Sequence, residues 1–114
     1  MLEKEIQKSI TDYLEVLEAQ GKLYFFRANS GSFTTKRKDG SSGYVKTGKQ
    51  GCPDIVICTS EGQFLGVEVK TLTGKQTASQ IEACNQIVAL GGEYLLVRSL
   101  FELIHDFKTL KIIK

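Results

Sequence analysis

The chain is poor in the residues that build covalent staples and metal cages. It has three cysteines, Cys52, Cys58 and Cys84, and one histidine, His105, in 114 residues. The cysteine count is odd and no two form a Cys-x-x-Cys pair. A disulfide framework and a zinc site are therefore both set aside, and a reducing compartment fits better. His105 falls on an expected terminal helix, where a surface or packing role accounts for it, and it is not placed in a site. No run of eighteen apolar residues and no signal-peptide pattern occurs, so the expectation is a soluble, cytoplasmic protein with no membrane partner. With 41% hydrophobic and 25% charged residues the composition is globular. The length suits one domain over 1–114 that buries a core without staples.

Net charge is also low, at +2, but it is unevenly spread. Residues 1–21 carry five acids and two bases, whereas residues 22–50 carry seven bases against one acid, Asp39. Those bases are Lys22, Arg27, Lys36, Arg37, Lys38, Lys46 and Lys49, most of them in a glycine- and serine-rich stretch. Such a stretch attracts phosphate backbones through counterion release; the alternative is a solvated surface loop.

Residues 2–20 read as a helix, with Ile6, Ile10, Tyr13, Leu14 and Leu17 at helical spacing and Gly21 as the stop. Residues 23–28 are aromatic-rich and predict a strand. Residues 29–51 predict a long loop, with a short hairpin around Tyr44–Lys46. Strands at Asp54–Thr59 and Phe64–Thr71 flank a turn and form a hairpin. An amphipathic helix follows over 77–91, through Ile81, Cys84, Ile87 and Val88. Glu93–Arg98 predicts another strand, Ser99 opens a helix to about Phe107, and Leu110–Lys114 predicts a short edge strand. The order α-β-β-β-α-β-α implies an α/β domain, a sheet flanked by helices.

The chemistry gathers on the hairpin. Strand side chains alternate, so Glu68 and Lys70 share a face while Leu65, Val67 and Val69 point to the opposite one. An ordinary register brings Asp54 beside them. Two carboxylates and an ammonium at one spot suit Mg²⁺ or Mn²⁺, which take oxygen ligands and keep waters, with the Val69 carbonyl as a third protein ligand. The competing account is a solvent-facing ion pair, with Asp54 capping a turn after Pro53. Against it stands the cost of placing charges in the middle of an apolar strand.

Pro53-Asp54 followed, after thirteen intervening residues, by Glu68-Val69-Lys70 resembles the signature of the PD-(D/E)xK nucleases. Gly51-Cys52-Pro53-Asp54-Ile55, Val67-Glu68-Val69-Lys70 and Gln80 before an apolar helix resemble the virus-type replication-repair nuclease (VRR-NUC) domain. The opening Glu3-Lys4-Glu5-Ile6 is similar to archaeal Holliday junction resolvases. The resemblance runs from Glu3 to about Phe107 and implies a restriction-endonuclease-like core with a mixed central sheet. It implies Asp54 and Glu68 as metal ligands and Lys70 as the catalytic lysine, with an acid of the first helix joining them. Helix angles favour Glu3, about 20° from Ile10, over Glu5, about 140° away. Gln80 has two compatible roles, one near the active centre and one in a capping box with Thr77.

The resemblance further implies an Mg²⁺- or Mn²⁺-dependent, structure-selective endonuclease of branched DNA, Holliday junction resolvase-like and homodimeric. Its compartment would be the cytoplasm, that of a bacterial host if the chain is phage-encoded. Lys36, Arg37, Lys38, Lys46 and Lys49 would clamp a phosphate backbone beside the metal, with Arg27 and Asn29 assisting. Alternatives are a flap-type nuclease, a sequence-specific restriction-type nuclease, for which little chain remains to read bases, and a non-catalytic nucleic-acid-binding module.

Overall fold

Helix α1 (Glu3–Ala19) forms because four apolar residues fall on one stripe, and Ile6, Ile10, Leu14 and Leu17 are all buried. Its first turn is held by Glu5, whose Oε1 accepts the Leu2 amide at 2.9 Å. The computed structural model describes residues 1–28 and 31–114, with side chains for all of these except 31–34 and 45–47. The chain continues through β1 (Leu23–Arg27), β2 (Gly31–Lys36), β3 (Ser42–Thr47), β4 (Ile55–Thr59), β5 (Phe64–Val69), α2 (Ala78–Ala89), β6 (Glu93–Val97) and α3 (Leu100–Thr109).

Four strands make one mixed sheet in the order β1-β4-β5-β6. β1 and β5 run antiparallel to β4, and β6 runs parallel to β5. The α/β architecture expected from the sequence is therefore present, with helices on both sides of a mixed sheet. One face of the sheet carries the main core. Leu23, Ile55, Ile57, Leu65, Val67, Val69 and Val97 pack there with α1 and with Leu103 and Phe107 of α3. Fully burying each such side chain contributes about 1.5–3 kcal/mol.

Departures from the expected elements have physical reasons. The expected loop at 29–51 holds a full antiparallel hairpin, β2-β3, with Gly31 opposite Thr47 and Lys36 opposite Ser42. It forms a separate two-stranded sheet. The expected edge strand at Leu110–Lys114 is not one. There the chain wraps over the end of α3, with the Ile112 amide donating to the Phe107 carbonyl at 2.9 Å and Lys111 at φ 61°. Ile112 and Ile113 pack against the core, which satisfies their apolar surface without strand pairing. β5 stops at Val69, beyond which the Gly74 amide donates to the Thr71 carbonyl in a turn whose Thr71 and Gly74 carbonyls accept from the Arg98 guanidinium. The apolar stripe of α2 is only partly used. No residue of that helix is fully buried, and Ile81 and Val88 stay 47% and 54% exposed.

Candidate active site

The acidic pair is set by strand register. Ile55 lies opposite Val67 and Ile57 opposite Leu65. Carried one residue further, that register puts Asp54 opposite Glu68. Two hydrogen bonds hold it there: the Val69 amide donates to Asp54 Oδ2 at 2.8 Å, and the Ala28 amide donates to the Asp54 carbonyl at 2.9 Å. Two glycines shape the approach. A Cβ on Gly66 would lie 2.5 Å from Pro53 Cγ, so the absence of a side chain lets the proline ring sit on β5. Gly51 has φ +81°, and a Cβ there would strike the Ser79 carbonyl in the first turn of α2. The Gly-Cys-Pro-Asp segment is thus wedged between β5 and the start of α2, and its final residue is delivered to Glu68.

Glu68 is 1% exposed and is the one buried charged residue among those described. The solvent-facing ion pair is therefore excluded. The Tyr94 hydroxyl of β6 donates to Glu68 Oε1 at 3.3 Å, and Gln76 Nε2 donates to the Tyr94 oxygen at 3.2 Å. Burial pushes the Glu68 carboxyl up to about 9. The neighbouring Asp54 carboxyl adds to the rise, while the Lys70 charge and the Tyr94 hydroxyl oppose it. Burial, together with the charge of Glu68, also raises the Tyr94 phenol.

Glu68, buried beside a second carboxyl, ionises only with a compensating charge. A proton on Glu68 removes that need, or a cation meets it. The donors are all oxygen, which fits Mg²⁺ or Mn²⁺ rather than zinc. Asp54, Glu68 and the Val69 carbonyl between Glu68 and Lys70 are the residues that would hold such an ion. Among the described residues no group of three or more His, Cys, Asp or Glu gathers, so a metal here would keep much of its water. Lys70 shares the Glu68 face by alternation and is partly exposed, where Glu68 is buried.

No family model matches the sequence, and no curated protein matches it. A solved structure titled VRR_NUC domain aligns over 94% of both chains, with a TM-score of 0.61 and 20% identity. The fold is that of a VRR-NUC domain. The resemblance carried by the Pro-Asp and Glu-x-Lys segments is thus matched by the course of the backbone over 94% of the chain.

Within the VRR-NUC fold the other expected site residues divide. Asp54, Glu68, Val69 and Lys70 come together. Glu3 is exposed, at the first residue of α1, and among the described residues no third acid gathers with Asp54 and Glu68 into a metal-holding group. Glu3 does lie toward the same end of the sheet, because Arg27 Nη2 donates to Gln7 Oε1 at 2.8 Å and Arg27 pairs with Ile55. Gln80 closes a capping box, its Oε1 accepting the Thr77 amide at 2.9 Å while its own amide donates to Thr77 Oγ1. Its carbonyl oxygen is thereby committed to the helix.

The basic residues sit differently from the expected clamp. Arg27 is on the α1 face, opposite to Glu68, bound by Gln7. Lys36, Arg37 and Lys38 are exposed at the tip of the β2-β3 hairpin, about 20 Å of strand from its base at Gly31 and Thr47. Only Lys49 lies close in the chain to Asp54, in the turn where the Cys52 amide donates to its carbonyl. Asn29 and the side chain of Lys46 lie outside the described residues. Tyr94 and Gln76 were not anticipated. Their link to Glu68 depends on the parallel register of Gly66 with Tyr94, which no local pattern announces.

Proposed function

We propose that this protein is a divalent-metal-dependent endonuclease that hydrolyses phosphodiester bonds in branched DNA. The observation that carries the reading is the buried Glu68 facing Asp54, with Lys70 at the open end of the same strand, in a VRR-NUC fold. Asp54 and Glu68 would hold Mg²⁺ or Mn²⁺, which when bound lowers the pKa of a water and offsets charge on the phosphate. Lys70 orients the attacking water and stabilises the developing oxyanion. The Val69 amide keeps Asp54 from turning away.

Branched DNA is favoured over plain duplex by the basic hairpin, which stands off from the sheet and reaches phosphates distant from the scissile one. Homodimerisation is supported by an apolar face. Tyr24, Phe26, Val56, Cys58 and Phe64 alternate onto the side of the sheet that α2 flanks, and Tyr24 and Phe26 remain 63% and 50% exposed. A second copy across this face supplies two equivalent sites for symmetric cutting.

The test is a cleavage panel of four-way junctions, flaps, splayed arms and duplex, with Mg²⁺, Mn²⁺ or EDTA. Junction cleavage that needs metal, and that Asp54→Asn or Lys70→Ala lowers by at least about 100-fold while DNA binding persists, is the expected result. Flap cleavage alone identifies a flap nuclease. Binding without cleavage of any substrate by the wild type leaves only a nucleic-acid-binding module.

A further inference from the structure

We propose that Tyr94 sets the cation selectivity of the carboxylate pair, by tying up one oxygen of Glu68 so that this side chain can offer a metal only the other. The inference rests on the metal-site reading above. It starts from hydrogen-bond direction. Gln76 Nε2 donates to the Tyr94 oxygen at 3.2 Å, so the phenol proton is turned toward Glu68 Oε1, 3.3 Å away. A hydroxyl has one proton, and the side-chain amide leaves it that single use. Asp54 is restrained in the same way, with Oδ2 taken by the Val69 amide at 2.8 Å. One oxygen of each carboxylate is thus already accepting a hydrogen bond, which disfavours chelation through both, and the other faces the partner carboxyl, where a metal would sit between them.

The scaffold enforces this arrangement. Tyr94 pairs with Gly66 across the parallel β5-β6 ladder, and a Cβ on Gly66 would lie 3.6 Å from the tyrosine ring. The ring therefore lies along β5 over a residue with no side chain. Its length carries the hydroxyl to Glu68, two residues on. Gln76, just before α2, donates to the same oxygen. Single-oxygen ligation suits a small octahedral ion that retains waters. Ca²⁺ is larger, takes six to eight oxygens and commonly uses both oxygens of a carboxylate. Tyr94 is accordingly a positioning residue that disfavours Ca²⁺ relative to Mg²⁺ and Mn²⁺.

Calorimetric titration of Mn²⁺ and of Ca²⁺ into the wild type, Tyr94→Phe and Gln76→Ala tests this, with thermal melts in EDTA alongside. The expected result is a ratio of Ca²⁺ to Mn²⁺ dissociation constants that falls about tenfold in Tyr94→Phe, the scale of effect of a group orienting a metal ligand. Gln76→Ala shifts the ratio the same way by less, since it only aims the hydroxyl, and it carries the test if Tyr94→Phe does not fold. An unchanged ratio overturns the proposal, including the case where both affinities weaken together, because a merely structural tyrosine would act on both ions alike. If the wild type binds neither ion, the metal-site reading falls and this inference with it. Tight wild-type binding with an unchanged ratio removes Tyr94 alone.

Discussion

At the scale of single residues, the site is built by one costly placement and two missing side chains. Glu68 is a carboxyl whose folded-state value, about 9, stands above its ordinary 4.5. Its protonated form is favoured on folding, so the metal-free protein has this contribution in full below about pH 4.5 and loses it as pH rises through 9. The loss should be on the order of a few kcal/mol in denaturant melts with EDTA. Glu68→Gln should flatten the profile, and saturating Mn²⁺ should flatten it in the wild type. A wild-type stability that does not fall between these pH values contradicts the buried-carboxyl account. Gly66→Ala forces Pro53 off β5 and should cost about 1–3 kcal/mol, with a loss of cleavage because Asp54 follows Pro53. Gly51→Ala should cost at least as much, since it adds a left-handed backbone to a clash with the Ser79 carbonyl. Melts and rates measured together separate these outcomes from a simple loss of fold.

The elements divide into those that make the core and those that serve the site. Helix α1 is an ordinary amphipathic helix whose stripe is consumed by the sheet, and Leu14→Ala there should cost about 2–5 kcal/mol. The β2-β3 hairpin does the opposite. Its strands pair with each other, and its tip carries Lys36, Arg37 and Lys38 around a turn in which Asp39 Oδ1 accepts the Ser41 amide at 2.9 Å. That turn is built from local hydrogen bonds and should survive substitution of its neighbours. Replacing all three bases with alanine should therefore reduce the salt dependence of DNA binding by a slope of about 3, one unit for each lost phosphate contact. Mn²⁺ affinity should not change. Fluorescence anisotropy across a salt series reads the slope, and an unaltered slope means that the arm does not touch DNA.

For the whole molecule, the dimensions reflect that arm. The radius of gyration is 15.7 Å and the long axis 55 Å, against about 13 Å for the radius of a compact chain of this length. Among the described residues, no helix is long and apolar enough to cross a membrane. The apolar side of the sheet, through Tyr24 and Phe26, is the surface expected to pair two copies. Light scattering should give twice 12.6 kDa for the wild type and the single mass for a Tyr24→Lys, Phe26→Lys variant. The variant leaves Asp54 and Glu68 unchanged, so it should still bind Mn²⁺ while losing paired cuts at a junction. A monomeric wild type at micromolar concentration would sink the symmetric-resolvase model and leave the single site intact.

The sequence by itself determined what local periodicity and short-range pairing can determine. The stripe of α1, the alternation of β5 and the tight turn between β4 and β5 place Glu68 and Lys70 on one face and Asp54 opposite, since thirteen intervening residues allow little else. Helix angle placed Glu3 on the inward side of α1, but not how far the helix end stands from the carboxylates, which depends on packing between distant segments. For the same reason the clamp expected of Lys36, Arg37 and Lys38 became a projecting arm. A basic, glycine-rich stretch reads alike whether it lies on the body or leaves it. Tertiary structure alone decided that Glu68 is buried, that α2 leaves its stripe half open, and that Tyr94 meets Glu68. Each follows from the parallel pairing of β6 with β5 across a helical crossover, a contact between residues far apart in the chain that only assembly of the sheet brings into register.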